Sequence, residues 1–269
     1  MHPDLIDIGF LHLKTYGACI AAGFLLCWHI AERLSRRKDL SNLIIALMLS
    51  GVIGARAAYV IENWSTEFAA HPLDIVRIDQ GGLVFYGGLL LAVAVFFAWC
   101  LVKKERIAPL ADLLCAVIPL GHAFGRVGCF FYGCCYGRPS ASALAVSFPM
   151  RSPAWHEQLA HGLISPSALC SRPVLPTQLF EAAALLVLFA VLMLVYRRCR
   201  TRPGTVSGVY LTGYALLRFP MEYLRGDPRA EVGPFSIAQT LSFLVLALGI
   251  GFLVLPRRRR DKALPQEGS

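Results

Sequence analysis

The chain has 269 residues, of which 56% are hydrophobic and 16% are charged, and its net charge is +9. A soluble domain carries about 25% charged residues, so this composition excludes an ordinary soluble protein and favours a polytopic membrane protein. The positive charge does not indicate nucleic-acid binding, because it lies in short clusters beside apolar segments. The nine cysteines are an odd number, which argues against a fully paired disulfide framework.

Seven apolar segments follow one another along the chain, each near the ~20 residues that a helix needs to cross hydrocarbon. They are Tyr16–Ala31, Leu43–Ile61, Leu83–Val102, Leu110–Phe131, Gln178–Tyr196, Val206–Leu224 and Ile237–Leu255. The fourth contains Arg126 and the sixth contains Arg218. Membrane segments that contain a charged residue usually face the protein interior or a water-filled cavity. The sequence therefore predicts an all-α, polytopic integral membrane protein with seven transmembrane helices.

Lysine and arginine cluster after the first, third, fifth and seventh segments and are sparse in the loops between them. Because positively charged loops stay in the cytoplasm, this alternation predicts an outer N-terminus and a cytoplasmic C-terminus. We expect one seven-span membrane domain over residues 1–256 and a basic, disordered cytoplasmic tail over residues 257–269. The proline-rich connection at residues 137–176 then lies outside, either resting on the membrane surface or as an ordinary surface loop.

The segment from Gly125 to Gly137 combines one arginine, four glycines and three cysteines at the end of an apolar helix. Arginine at membrane depth costs at least a few kcal/mol and is rarely kept without a partner. Glycine lets backbone N–H groups approach an anion closely. The segment therefore favours phosphate binding, and a lipid headgroup is the first ligand to consider.

Arg126 and Arg218 both belong near the outer half of their segments, so two guanidinium groups would bind one phosphate through charge-assisted hydrogen bonds. Tyr214, Arg218, Glu222 and Arg225 are spaced so that they share one face of a helix. Polar stripes inside membranes are usually functional. The alternative is structural: Arg218 pairs with Glu222, Arg126 pairs with another carboxylate, and the stripe holds helices together.

Tyr86 lies between two glycine pairs, Gly81-Gly82 and Gly87-Gly88, at the outer mouth of the third segment. Such pairs allow a broken helix or a close backbone approach. The Tyr86 hydroxyl would donate a hydrogen bond to a lipid oxygen, although a tyrosine is a poor general base at neutral pH. The alternative is a tyrosine of the aromatic belt at the membrane interface.

Cys129, Cys134 and Cys135, together with His122, are the candidate metal ligands. Their spacing is not a standard zinc pattern and adjacent cysteines seldom bind one ion well, so no metal is predicted. A disulfide is a second possibility, because this end of the segment faces an oxidising compartment. The third is a nucleophilic cysteine whose pKa is lowered by Arg126.

In their order along the chain, these motifs resemble those of the bacterial prolipoprotein diacylglyceryl transferases, membrane enzymes that lipidate lipoprotein precursors. The family signature Gly-Arg-x-Gly-Asn-Phe-x-Asn-x-Glu-x-x-Gly is matched in register by Gly125, Arg126, Gly128, Phe130 and Gly137. Further matches to family motifs are Tyr16-Gly17, Gly54-Ala55-Arg56 with Tyr59, Gly81-Gly82 with Gly87-Gly88, Pro176 to Glu181, Tyr214, Arg218, Phe219, Glu222, Arg225, Ser236, Gln239 and Ser242. The resemblance covers nearly the whole chain, with the same seven-span topology.

The resemblance implies transfer of the diacylglyceryl group of phosphatidylglycerol to the lipobox cysteine thiol of a secreted prolipoprotein, forming a thioether and releasing glycerol phosphate. It implies a bacterial inner-membrane location among membrane lipid, and neither a soluble cofactor nor a metal. Arg126 would hold the headgroup, Arg218 would stabilise the departing phosphate, and Tyr16 and Tyr214 would orient oxygens. The catalytic candidates are Arg126, Arg218, Tyr86, Tyr214 and Glu222, and the substrate-binding candidates are Arg126, Gly125, Gly128, Gly137, Tyr16 and Arg225.

The chain departs from the family's pattern where thiol chemistry is expected. Tyr86 stands at the position of the proposed histidine base, and Cys129, Tyr132 and Cys134 replace two asparagines and a glutamate. One interpretation is that the histidine is dispensable, because two arginines favour a thiolate. The others are a paralogue that binds or modifies phospholipid with a different acceptor, and a transporter of an anionic solute.

Overall fold

The computed structural model describes residues 4–7, 12–35, 37, 39–69, 71–77, 81–198, 202–229 and 231–254, and most of these residues are α-helical. Within these ranges the helices are α1 (Thr15–Ser35), α2 (Leu40–Glu62), α3 (Phe85–Val102), α4 (Ile107–Tyr132), α5 (Pro153–Ala160), α6 (Thr177–Arg198), α7 (Thr205–Leu224) and α8 (Ile237–Val254). Each predicted apolar segment coincides with one long helix to within a few residues at each end. The all-α class is therefore confirmed.

Six of the described helices, α1, α2, α3, α4, α6 and α8, are long and apolar enough to cross a membrane. Helix α7 has 20 residues but is not among them. Its interior contains Arg218, Glu222 and Pro220, which lower its apolar character. The predicted count of seven crossings therefore rests on α7.

Residues 32–110 form one compact unit, in which α2 and α3 lie closely against each other. A Cβ atom added to Gly54 would lie 2.5 Å from the carbonyl oxygen of Gly87, and one added to Gly88 would lie 2.6 Å from that of Gly51. Small residues let membrane helices approach closely and gain van der Waals contact. The Gly87-Gly88 pair thus serves a close approach, and α3 continues through it unbroken.

The side chain of Arg56 holds the segment that precedes α3 within this unit. Its Nε donates to the carbonyl oxygen of Ile75 at 2.8 Å, and its Nη2 donates to that of Asp74 at 2.7 Å. Its Nη1 donates to the carbonyl oxygens of Gly81 and Gly82 at 2.9 and 3.1 Å. Both glycines have positive φ, 89° and 74°, which glycine adopts without strain.

Residues 1–31 and 111–269 form the second compact unit, described over the ranges given above. Helix α7 contacts both α6 and α8. The buried residues Ala123, Ala182 and Leu185 pack together, with Leu217 against them. This cluster joins α4, α6 and α7 beside the residues that form the candidate site.

The start of α7 is fixed by a carboxylate from α4. Helix α7 follows Gly204, which has a φ of 83° and supplies no capping side chain. The buried carboxylate of Asp112 accepts hydrogen bonds from the Ser207 N–H at 2.8 Å, from the Ser207 hydroxyl at 2.7 Å and from the Gly204 N–H. Because the first N–H groups of a helix have no partner within it, Asp112 satisfies donors that would otherwise be buried and unpaired.

The predicted outer connection at residues 137–176 is a packed structure that contains α5. The hydroxyl of Ser152 caps this helix by accepting from the Trp155 N–H at 3.3 Å. Val174 pairs in antiparallel bridges with Pro139 and Val146, and its side chain is buried with Phe148. These contacts fix the path of the chain from the end of α4 to the start of α6.

The remaining elements of the described structure are a π-helical turn (Trp64–Phe68), a 3-10 helix (Pro72–Val76) and two short antiparallel hairpins. The hairpins pair β1 (Asp4–Asp7) with β2 (His12–Lys14), and β3 (Glu231–Val232) with β4 (Phe235–Ser236). The predicted basic tail at residues 257–269 and Cys199 lie outside the described residues.

Candidate active site

Arg126 lies near the end of α4, and its side chain is largely buried. Its Nη2 is 2.9 Å from Oε1 of Glu181, a residue of α6 that is only 1% exposed. Within the described part of the chain, the buried Nε of Arg126 has no hydrogen-bond partner. A buried donor without a partner is rare in proteins, so this Nε is a candidate contact for a ligand oxygen.

Arg218 and Glu222 form a second buried ion pair along α7, with Nη1 and Oε2 2.6 Å apart. The pair lacks hydrogen-bond geometry, and among the described residues neither Glu222 oxygen accepts a hydrogen bond. Both ion pairs of the structural alternative are therefore present. They do not exhaust the arginine donors, since a guanidinium carries five N–H groups.

His122 lies near both ion pairs. Its Nε2 is 4.0 Å from Oε1 of Glu181, and its ring centroid is 5.5 Å from that of Tyr214. Arg126 and Arg218 both lie within electrostatic range of the His122 ring. Side chains of α4, α6 and α7 therefore converge on one polar site, which includes the predicted residues Arg126, Arg218, Tyr214 and Glu222.

Tyr16 reaches this region from the start of α1 and is about half exposed. A Cβ atom added to Gly128 would lie 3.0 Å from Cδ2 of Tyr16, and one added to Gly125 would lie 3.3 Å from Cδ1 of Ile20. These two predicted substrate-binding glycines thus allow α1 to approach α4. This approach is what brings Tyr16 within electrostatic range of Arg126.

Gly137 and Arg225 meet in an antiparallel bridge beyond the ends of α4 and α7. The Nε and Nη2 atoms of Arg225 donate to the two carboxylate oxygens of Asp227, each at 2.9 Å. A Cβ atom on Gly137 would lie 2.7 Å from the Leu175 carbonyl oxygen, so no side chain fits there. The pair lies just beyond the ends of the two helices that carry Arg126 and Arg218.

The three cysteines of the signature segment form a cluster. The Sγ atoms of Cys129, Cys134 and Cys135 all lie within 4.8 Å of one another, and all three residues are partly buried. Hydrogen bonds from the Cys129 and Cys134 thiols lower the pKa of Cys135, and the charges of Arg225 and Arg126 act in the same direction. Sequence spacing alone did not predict this convergence.

An apolar cavity of about 600 Å³ opens among α1, α4 and α6. Its lining includes Ala123, Phe124 and Val127 of α4, which flank Arg126 along the helix, and Ala182 of α6. The cavity offers space for hydrocarbon next to the turn of α4 that carries the guanidinium.

Tyr86 belongs to the other unit, at the first turn of α3. Its side chain is about half exposed, and its ring packs edge-on against that of Phe85, with centroids 5.7 Å apart. This exposure fits both interpretations of Tyr86, a hydrogen-bond donor and an interfacial tyrosine.

The model of the prolipoprotein diacylglyceryl transferase family matches residues 3–255. The chain belongs to this family. It is 32% identical to a phosphatidylglycerol–prolipoprotein diacylglyceryl transferase of Cereibacter sphaeroides, over 91% of each chain. The enzyme of the same name from Rhodospirillum rubrum is 31% identical, over 98% of this chain and 95% of the relative. The enzyme of the same name from Pseudoalteromonas translucida is 33% identical, over 94% of this chain and 91% of the relative.

Two further residues of this diacylglyceryl transferase family member lie at the site: Glu181, and His122, which the sequence suggests only as a candidate metal ligand. Glu181 is the last residue of the motif from Pro176 to Glu181, and a carboxylate in an apolar helix is itself a functional signal. His122 precedes Arg126 by four residues and therefore shares its helix face. Both signals were present in the sequence, but the partner of each side chain was not.

Proposed function

We propose that this chain transfers the diacylglyceryl group of phosphatidylglycerol to the lipobox cysteine thiol of prolipoproteins, forming a thioether and releasing glycerol phosphate. The observation that carries the proposal is the buried, partly unpaired guanidinium of Arg126 beside an apolar cavity. An anionic headgroup joined to hydrocarbon chains matches that combination of surfaces. The names of the relatives supply the same donor and acceptor.

In this proposal the two arginines act on the phosphate. Arg126 holds the headgroup through its free donors, and Arg218 stabilises the charge that develops on the leaving oxygen. Glu181 and Glu222 hold the two guanidinium groups in place, because each carboxylate contacts one of them.

The remaining candidates position the lipid. Tyr16 and Tyr214 orient lipid or phosphate oxygens, and Tyr86 donates a hydrogen bond to a lipid oxygen. Arg225 adds positive charge at the outer end of the site. Gly125, Gly128 and Gly137 bind the substrate indirectly, since their lack of side chains permits the close packing around it.

We further propose that α7 is a seventh crossing, within one membrane domain over residues 1–256 of a multi-pass inner-membrane protein. Its contacts with two apolar helices and its buried Arg218 and Glu222 support this assignment. The charge alternation between loops supports an outer N-terminus and a cytoplasmic C-terminus.

The test is direct formation of the product. The purified chain is incubated with phosphatidylglycerol and a synthetic lipobox peptide, and the diacylglyceryl thioether is sought by mass spectrometry. A peptide with serine in place of the cysteine is the matched control and gives no product. Lipid binding without any product, beside an active relative, would instead favour a paralogue with a different acceptor.

A further inference from the structure

The cysteine cluster is the feature that the proposed chemistry leaves unused. We propose that Cys129, Cys134 and Cys135 form a three-thiolate Zn²⁺ site whose fourth position receives the acceptor thiol. The metal site stands on the geometry of these residues, whereas its role with the acceptor rests on the proposed function.

The distances suit one metal ion. A Zn–S bond of about 2.3 Å places two sulfurs of a tetrahedral site about 3.8 Å apart. The three Sγ atoms lie within 4.8 Å of one another, so shifts of about 1 Å or less would close the site around an ion. Soft thiolates are ligands that zinc prefers.

The backbone explains how two adjacent cysteines can face the same point. Gly133 ends α4 with a φ of 84°, and Cys135 has a φ of 61°, which is uncommon for a residue with a side chain. Such conformations persist only where surrounding contacts hold them, and they concentrate at functional sites. The turn overcomes the usual objection to adjacent ligands, which applies to extended chain.

Side chains at the start of α6 hydrogen-bond to the backbone of this turn. The Nε2 of Gln178 donates to the carbonyl oxygen of Cys134 at 2.7 Å, and the hydroxyl of Thr177 donates to that of Cys135 at 2.9 Å. Both donors are 1% exposed. Outer-shell contacts of this kind orient metal ligands and fix their positions before the ion binds.

The charge around the cluster favours an anionic metal complex. One Zn²⁺ with three thiolates carries a net charge of −1, by simple addition of formal charges. Arg126 and Arg225 both lie within electrostatic range of Cys135. Two guanidinium groups stabilise such an anion, in the same way that they stabilise a phosphate.

Three protein ligands leave one position open, as in catalytic zinc sites. A thiol that binds zinc is deprotonated, so the acceptor loses its proton to solvent and remains as a bound thiolate. Its sulfur attacks the glycerol carbon of the lipid, the C–S bond forms, and the C–O bond to phosphate breaks. The oxygen leaves with the electron pair as glycerol phosphate. The metal thereby converts the acceptor thiol to a thiolate. In the family's pattern a histidine is the proposed base for this step, and this chain has Tyr86 at that position.

The first measurement is a titration of the reduced, full-length protein with Co²⁺. This ion binds at zinc sites, and its complexes with thiolates absorb light. We expect one Co²⁺ per chain, a thiolate-to-metal charge-transfer band, and displacement by Zn²⁺. Cys129→Ser, Cys134→Ser and Cys135→Ser should each weaken binding by more than about tenfold, since loss of an outer-shell partner alone costs that much. Cys170→Ser and Cys115→Ser, which change cysteines outside the cluster, should bind as the unchanged protein does.

The second measurement separates the metal site from the reaction. A strong chelator should stop thioether formation by the unchanged protein, and added Zn²⁺ should restore it. Absence of the band, or a disulfide between two of the three cysteines in the isolated protein, would overturn the metal site even if transfer continued. A metal-thiolate band with no transfer to any lipobox peptide would uphold the site and overturn its role with the acceptor. All these outcomes are measured on the unchanged protein. They can therefore be decided even if a cysteine variant fails to fold.

Discussion

Arg126 and Arg218 show how a membrane protein keeps charge at depth. Each guanidinium contacts one buried carboxylate, which removes much of the cost of an isolated charge. The carboxylates do not occupy every donor, and the Nε of Arg126 remains without a hydrogen-bond partner in the described structure. The same side chain can therefore keep its ion pair and still make the proposed contact with a phosphate.

Arg126→Ala is expected to lower diacylglyceryl transfer by about 100-fold or more, because a preorganised donor to the developing charge is lost. The transfer rate of Arg126→Lys should lie between those of Arg126→Ala and the unchanged protein, because lysine keeps the positive charge but lacks the planar guanidinium. Product is measured by mass spectrometry at equal amounts of inserted protein. Arg138→Ala, which changes an exposed arginine directly after the Gly125–Gly137 segment, is the control. Normal turnover by Arg126→Ala would remove Arg126 from the site.

Tyr86→His is expected to leave transfer intact or to raise it, because imidazole titrates near neutral pH and can accept a thiol proton. Tyr86→Phe keeps the ring and removes only the hydroxyl, so it should lower transfer if that hydroxyl donates to lipid. Both are compared as initial rates with the same peptide. Complete loss in Tyr86→His would mean that the phenol has an active part in a different mechanism.

At the scale of elements, contacts between helices supply what a helix lacks in its own sequence. Helix α7 has no capping side chain at its start, and Asp112 of α4 provides the acceptor. Helix α3 has two adjacent glycines, and their absence of side chains lets α2 lie against it. In both cases one helix lacks side-chain atoms at a given point, and a neighbouring helix packs there or supplies the missing hydrogen-bond acceptor.

Asp112→Ala is expected to destabilise the protein by about 1–3 kcal/mol, because the N–H groups of Ser207 and Gly204 would be buried without an acceptor. Ser207→Ala removes only the hydroxyl bond to Asp112, so its effect should be smaller. Thermal unfolding in detergent, followed by circular dichroism, compares the two. Equal stability of Asp112→Ala and the unchanged protein would show that water replaces the carboxylate.

At the scale of the whole molecule, topology decides which compartment the site faces. Residues 137–176 follow α4 and lead from the cysteine cluster to α6, so they share the side of the membrane on which the site opens. The proposed orientation places this side outside the cytoplasm, where a secreted prolipoprotein presents its cysteine.

An impermeant maleimide should therefore label the exposed Cys170 in intact spheroplasts. Cys170→Ser removes that site, and Lys103→Cys, added in the same background, places a thiol after α3 on the predicted cytoplasmic side. The second thiol should react only after permeabilisation. Peptide mass spectrometry locates the label, and the reverse pattern would invert the proposed orientation.

The sequence by itself determined the helices, since a run of about 20 apolar residues must hydrogen-bond its own backbone in a membrane. It also determined Arg126, Arg218 and the glycines as candidates, because charge and bare backbone are conspicuous in such helices. The internal structure of residues 137–176 was not predictable, since short elements there depend on long-range pairs such as Val146 with Val174.

Only the tertiary structure decided which side chains meet. Glu181 joins Arg126, and Asp112 joins Ser207, across tens of residues of chain, so spacing could not reveal these pairs. The cysteine cluster depends on backbone angles at Gly133 and Cys135 that residue types alone do not specify. Local hydrophobicity fixes an element within its own length, whereas a site forms only when packing sets the rotation and ends of several elements together.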